Sequence, residues 1–363
     1  MASNRSFQIP DLVAIISPLE LRTNKNCRFA TDTSEKWMTE ELSGVFSPKE
    51  LKVLHATKIG LLAALCFPTC DGTQLRLLVD VMTMIFYSGQ RAYTPGSRRM
   101  RSLWQDTAFS ESVNPPSNGM EILRRQDLLK HVLDPHITRL TNQAPDTWNQ
   151  RFLKSVQDYR DVQAAVVSKH SENKTPTLEE YFETRRQMYG ASIVLDLAEL
   201  LEIFQLPELQ GSNADHLVKL IQAAFDVIGW SLDVVAYQLD HTRGNAYNLI
   251  EVLMAQKNLS LQGAMNLSGT MLKEAFTSFR EHERLLLDAL DPQKSFQIPL
   301  IAWMFAHEAP SSEEAAATWE SVQRFLTAMK DWIVGIVHWT YETELFFGKK
   351  GGEIRMFGWV FTE

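Results

Sequence analysis

Residues 232–254 read LDVVAYQLDHTRGNAYNLIEVLM. An apolar-periodic stretch that begins near residue 213 runs into this segment and stops at Gly244-Asn245, a pair suited to ending a helix. Asp233 and Asp240 interrupt the apolar run. Carboxylates on a buried helix are costly unless something pairs with them or uses them. Positions 232, 236 and 240 share one helical face at i, i+4 and i+8 spacing. They hold Leu, Ala and Asp, so a single carboxylate stands at the C-terminal end of an apolar stripe, with Arg243 one turn beyond. A core helix whose Asp240 pairs with Arg243 or reaches solvent explains this pattern, and so does a reactive site.

The same periodicity dominates the chain. SPKELKVLHATKIGLLAALCF opens with Ser47, Pro48 and Glu50, the residues of an N-cap, a first-turn proline and a capping box. TLEEYFETRRQMYGASIVLDLAELLEIF starts likewise with Thr177 and Glu180 and carries one interior glycine, Gly190. SSEEAAATWESVQRFLTAMKDWIVGIVHWTYETELFF, with Ser311 and Glu314, runs beyond ordinary helix length. Further helices are expected at about 73–88, 121–142, 146–170, 213–242, 263–290 and 297–307. Alternating strand patterns bounded by turn residues are nearly absent. The pattern predicts an all-α chain of about ten helices, several apolar on more than one face, as where helices surround a common centre. Loops are expected at 92–118, 168–176 and 206–213; none is biased enough to be a linker, so one domain over 1–363 is expected, with 1–45 packed on it. The pentapeptide SFQIP occurs at 6–10 and 295–299 without surrounding similarity and reads as coincidence.

With 363 residues, 45% of them hydrophobic, the chain can bury a sizeable core. A net charge of -8 argues against a nucleic-acid backbone as the main partner, since there is no basic excess to release counterions. Cys27, Cys66 and Cys70 are too few for a disulfide framework and lack zinc-ligand company, so they read as structural or incidental thiols. The histidines form no HExxH-like pair, and neither a phosphate-binding glycine loop nor a nucleophile elbow is present. The N-terminus has no apolar signal region and no run of 18 apolar residues occurs, so a soluble cytoplasmic protein without a membrane span is expected.

Other stretches invite a chemical reading. In YFETRRQMYGAS two adjacent arginines precede a Gly-Ala-Ser where the helix can break and turn its dipoles on an ion; a solvated arginine pair and a packing glycine is the plainer reading. Phe86, Tyr87, Phe225, Trp230, Trp339, Tyr341 and Phe346 lie on or beside these segments. Aromatic faces steady carbocations, and at helical spacing they also simply fill cores. SGQRAYTPGSRRMR brings Arg91, Arg98, Arg99 and Arg101 after Arg76, either an anion site or loop arginines facing solvent.

In their order and spacing these segments resemble a microbial class I terpene synthase of the single-domain, fungal sesquiterpene cyclase type. IPDLVAIISPLELRTNKNCRFATDTSEKW matches the opening motif with Arg22, Asn24 and Trp37. DVMTMIFYSGQ, from Asp80, matches the helix that leads to the family's aspartate-rich motif. RRQMYG matches the diphosphate-sensing motif and puts the sensor at Arg186. LDVVAYQLDHTRGNAYNLIEVLM matches the second metal-binding motif, with Asp233, Tyr237, Arg243, Gly244, Asn248 and Ile250 in step, and WTYETELFFG matches the late motif. The resemblance spans essentially the whole chain. It implies a helical bundle around a central apolar cavity, in which three Mg²⁺ ions grip a prenyl diphosphate and the allylic cation left behind cyclises against aromatic walls.

The resemblance is broken at the metal sites. Gly89 and Tyr93 stand where the family has carboxylates, with Arg91 between them, and the Asn/Ser/Glu triad becomes Leu232, Ala236 and Asp240. The late Arg-Tyr pair becomes Leu345-Phe346. One aspartate cannot organise three octahedral ions, so no metal ligand is assigned and Mg²⁺ remains possible only through unconventional ligands. What the resemblance leaves is Arg186 and Arg243 as diphosphate contacts; Arg91 and Gly190 join them as candidates for binding the diphosphate end, and Phe86, Tyr87, Trp339 and Phe346 are the expected cavity lining. Asp240 and Asp233 are the candidate acid/base groups. The expected function is a diverged terpene cyclase that cyclises, rearranges or traps a terpenoid cation without the usual metal-driven ionisation. Two alternatives stand beside it: a non-catalytic companion binding a terpene or an active cyclase, and an Mg²⁺-dependent cyclase of farnesyl diphosphate.

Overall fold

The computed structural model describes residues 6–40, 48–92, 144–171, 174–201, 203–291 and 312–361. In chain order the elements are β1 (Ser6–Gln8), α1 (Leu12–Ile15), α2 (Cys27–Glu40), α3 (Pro48–Thr57), α4 (Ile59–Cys66), α5 (Gly72–Ala92), α6 (Asp146–Ser171), α7 (Leu178–Met188), α8 (Ala191–Leu200), α9 (Gly211–Arg243), α10 (Leu249–Lys257), α11 (Leu261–Leu290), α12 (Ser312–Glu342), α13 (Glu344–Phe347), α14 (Gly351–Phe357) and β2 (Trp359–Phe361). The fold is all-α, as expected, apart from two three-residue strands. The helices expected at 121–142 and 297–307, the loop from 93 to 118, the caps Ser47 and Ser311 and the second SFQIP lie outside the described residues.

Local chemistry sets the helix boundaries. Thr177 and Glu180 close the expected capping box, Glu180 N–H donating to Thr177 Oγ1 at 3.2 Å and Thr177 N–H to Glu180 Oε2 at 3.0 Å. The segment that follows is two helices rather than one, because Gly190 adopts a left-handed φ of 64° between Met188 and Ala191. The long C-terminal stretch also divides. Thr343 ends the run after Glu342 and its hydroxyl caps α13 by accepting from Leu345 N–H at 3.2 Å.

Helix α9 is the axis. Its residues pack against α11, α12, α10, α7 and α13. By length and mean hydropathy it could cross a membrane, but 67% of its apolar window is buried inside the fold, as in a core helix. On one side α12 crosses α4 so closely that a Cβ on Gly335 would lie 2.7 Å from the carbonyl carbon of Leu65 and 2.9 Å from Cys66 N. Only hydrogen fits there.

The N-terminal segment is anchored through the residues of the opening motif. Asn24, 2% exposed, donates from Nδ2 to the carbonyls of Phe67 and Cys70, both at 2.8 Å, and so ties the segment to the α4–α5 turn. Arg22 pairs with Asp331 on α12, and Trp37 lies under the Arg76 guanidinium, 5.7 Å from ring centre to Cζ. In the first SFQIP, Ser6, Phe7 and Gln8 pair antiparallel with Phe361, Val360 and Trp359, and Phe7 packs edge-on against Tyr237 at 5.5 Å.

Candidate active-site cavity

A cavity of about 230 Å³ opens between α4, α5, α6, α7, α8, α9, α12 and α13. That exceeds the roughly 150 Å³ of a dry cavity that holds benzene, and it falls short of the ~300 Å³ floor of drug-sized sites. It suits a compact apolar molecule. Phe86, Trp339 and Phe346 line it, as expected. The side chain of Tyr87 lies outside the described residues. Trp339 Nε1–H donates to Thr57 O at 2.9 Å, which fixes the indole, and Phe346 meets it edge-on with centroids 5.8 Å apart. The aromatic end is therefore rigid.

Asp240 enters the wall near the end of α9, with Leu232 and Ala236 in line behind it. Asn245 Nδ2–H donates to Oδ1 at 3.1 Å and Asn248 Nδ2–H to Oδ2 at 2.9 Å. Both asparagines are placed by the chain reversal at Gly244, whose φ is 68°. Burial pushes the Asp240 carboxyl up to about 6; the bond from Asn248 pulls it down, and the nearby Asp233 charge raises it again. Arg243 lies exposed at the rim of the same cavity.

Asp233 sits elsewhere than expected. It does not line the cavity and is 0% exposed. Tyr181 Oη–H and Arg185 Nη2–H donate to it, as do Tyr189 Oη–H at 3.1 Å and Leu249 N–H at 2.8 Å. Four donors occupy its oxygens, so it holds α7, α9 and α10 together instead of offering an acid to a ligand.

The arginines also differ from expectation by one residue. Arg186 turns away, forming a bidentate pair with Asp226 at 2.8 and 2.7 Å in a separate outer groove beside Trp230 and His282. Arg185 is the one that lines the cavity, 5% exposed, paired with Asp233 and stacked 3.6 Å over the Tyr189 ring. A helix advances 100° per residue, so two neighbouring side chains cannot share its inner face. Tyr181, Arg185 and Met188 fall on the buried stripe of α7 at i, i+4 and i+7, a signal present in the sequence. Gly190 makes the expected break and presses against Ile85, while its neighbours Tyr189 and Ala191 line the cavity. The surroundings of Gly89, the side chain of Arg91 and the whole of Tyr93, Arg98, Arg99 and Arg101 lie outside the described residues; Arg76 pairs with Asp80 at 2.9 Å.

Sequence reasoning passed over three further residues. Gln163 on α6 and Trp332 on α12 line the cavity with Arg185, and Gln163 Oε1, Arg185 Nε and Trp332 Nε1 are buried without a hydrogen-bond partner among the described residues.

A sequence model described as "Terpene synthase family 2, C-terminal metal binding" matches residues 95–278, half of the chain. The chain belongs to the class I terpene synthase family. Across 358 residues it is 25% identical to the protein named sesquiterpene synthase Agr1 of Cyclocybe aegerita, covering 98% of this chain and 93% of that one. It is 24% identical to alpha-muurolene synthase of Coprinopsis cinerea, covering 97% of this chain and 77% of the other. Among solved structures, hedycaryol synthase in complex with HEPES superposes with a TM-score of 0.67 at 18% identity, over 93% of this chain and 100% of that one. Germacradien-4-ol synthase from Streptomyces citricolor gives 0.65 at 19%, over 89% and 96%. These likenesses show the same all-α fold.

Within a terpene synthase the cavity wall has a specific meaning. The sequence resemblance puts the second metal motif on Leu232, Ala236 and Asp240, and these positions bring two hydrocarbon side chains and one carboxylate already held by two amides. Leucine and alanine carry no ligand atom, and Mg²⁺ demands several hard oxygens in near-octahedral array. Among the described residues no group of three or more His, Cys, Asp or Glu is placed to hold a metal. The donor set described does not fit the family's three-ion grip.

Proposed function

We propose that this chain is a terpene cyclase whose reaction starts from Asp240 rather than from metal-bound diphosphate. The carrying observation is the placement of Asp240: a lone carboxyl in the wall of an apolar, aromatic cavity, oriented by Asn245 and Asn248, with Leu232 and Ala236 beside it. Its raised pKa lets it carry a proton near neutrality, which is what a general acid needs. The substrate is a compact, preformed terpenoid. Asp240 gives its proton to one carbon of an electron-rich double bond, leaving a carbocation and a carboxylate. A second double bond attacks the cationic carbon, forming a C–C bond and moving the charge. Loss of a proton back to Asp240 restores a double bond, so the net change is an isomerisation. Trp339, Phe346 and Phe86 face the charge while it moves.

The names of the relatives, sesquiterpene and alpha-muurolene synthases, support a terpenoid of sesquiterpene class. Purified protein incubated with neutral sesquiterpenoids in EDTA, followed by gas chromatography and mass spectrometry, should give isomerised product that Asp240→Asn abolishes. Turnover confined to farnesyl diphosphate plus Mg²⁺ would sink this reading. Binding of terpenoids without any turnover would place the chain as a companion protein instead.

A further inference from the structure

We propose that the corner of the cavity between Gln163 and Arg185 binds a hydroxyl oxygen, which makes oxygenated terpenoids the ligands or products of this protein. The inference rests on the cavity reading above. Gln163 is 6% exposed and its amide orientation is settled by one contact: Nε2–H donates to Met188 O at 2.9 Å. A carbonyl can only accept, so the nitrogen must face Met188, and Oε1 is left as an acceptor without a donor among the described residues. Arg185 also meets Met188, with Nη1 3.5 Å from Sδ, and its Nη2 serves Asp233. Its Nε–H is left as a donor without an acceptor among the described residues. Around Met188 the wall thus carries one unmatched acceptor and one unmatched donor, both in residues that line the cavity.

Leaving such buried groups unmatched is costly, because each has given up its hydrogen bond to water. Few ligands satisfy both. A hydrocarbon satisfies neither, and a carbonyl or an ionised diphosphate accepts from Arg185 but has no proton for Oε1. Arg185 is moreover already opposed by Asp233, so the corner has no surplus positive charge for a polyanion. A hydroxyl accepts from Nε–H and donates to Oε1 with the same oxygen. That oxygen has two possible sources. It is carried in by the terpenoid, or it is a water that adds to the cation. In the second case the water oxygen forms the C–O bond, and its released proton goes to the Asp240 carboxylate left by the first step, so the net change is hydration.

Quenching of tryptophan fluorescence, with Trp332 and Trp339 in the cavity wall, reads binding of farnesol against the hydrocarbon that lacks only its hydroxyl. If the terpenoid supplies the oxygen, the wild type prefers farnesol about tenfold. Gln163→Met cuts that preference to within about twofold while hydrocarbon binding, the check on an intact cavity, persists. If water supplies it, the two ligands bind alike, turnover in heavy-oxygen water gives a labelled alcohol, and Gln163→Met diverts product to unlabelled hydrocarbon. Equal binding in wild type and variant with no labelled alcohol overturns the hydroxyl site and leaves the cavity reading standing. Binding of neither ligand overturns both.

Discussion

Asp233→Asn should be among the most damaging single-atom changes in this protein. The carboxylate is 0% exposed and its partner Arg185 5% exposed, so the amide would leave a guanidinium charge in a dry site, opposed only weakly by the Asp240 carboxylate. Breaking a buried pair in this way costs about 3–5 kcal/mol. Three neutral donors, Tyr181, Tyr189 and Leu249 N–H, would also compete for an amide that offers a single oxygen. The Arg186–Asp226 pair is the internal control, with a bidentate geometry but an arginine side chain 33% exposed. Asp226→Asn should cost about 1 kcal/mol, because solvent can take up the freed charge. Urea denaturation followed by far-ultraviolet circular dichroism measures both. The double variant Arg185→Met/Asp233→Leu, measured with Arg185→Met and Asp233→Leu alone, completes the test: removing both charges together should recover at least about 2 kcal/mol relative to the sum of those two singles. The reasoning is refuted if Asp233→Asn lies within about 1 kcal/mol of wild type, or if the double variant is as unstable as that sum predicts.

Other expectations follow from single features. The Asp240 carboxyl moves from an ordinary 3.8 to about 6 in the fold, so the folded state holds its proton more tightly. Its contribution is present at acid pH and lost as pH rises through about 6, with a ceiling of about 3 kcal/mol; melts across this range should show Asp240→Asn gaining on wild type as pH rises. Gly335→Ala puts a methyl 2.7 Å from the Leu65 backbone. It should cost about 1–3 kcal/mol by urea titration and weaken terpenoid binding, whereas Gly352→Ala, with nothing nearby, should be neutral. Gly190→Ala forces alanine into a left-handed turn against Ile85 and should cost about 1–2 kcal/mol; an unchanged melting temperature would show that the break tolerates a side chain.

Much of the architecture could be read from periodicity, because helices announce themselves within a dozen residues. The Thr177 capping box, the break at Gly190 and the stop at Gly244 are local chemistry and lie where the pattern put them. The β1–β2 pair joins residues separated by most of the chain, and three-residue strands have too little pattern to be seen. At the site, the motif picked Arg186 and the fold uses Arg185 in the wall. The amphipathic stripe through Tyr181 and Met188 held the correct phase. Asp233 and Asp240 look alike in sequence, yet seven residues bring one inside a ring of donors and the other into a cavity. Gln163 carried no signal at all, since its role depends on which carbonyl its amide meets.

The contact at Gly335 divides the cavity into walls that can change and a wall that cannot. Trp332, Ile336 and Trp339 on α12 and Ile59, Leu62 and Cys66 on α4 flank a crossing set by backbone against backbone. Their spacing is therefore insensitive to side-chain replacement elsewhere. The opposite wall, through Ile85, Val194 and Leu232, is built from side chains on separate helices. Directed redesign of ligand shape should vary that wall and treat the glycine crossing as the fixed jaw of a vice.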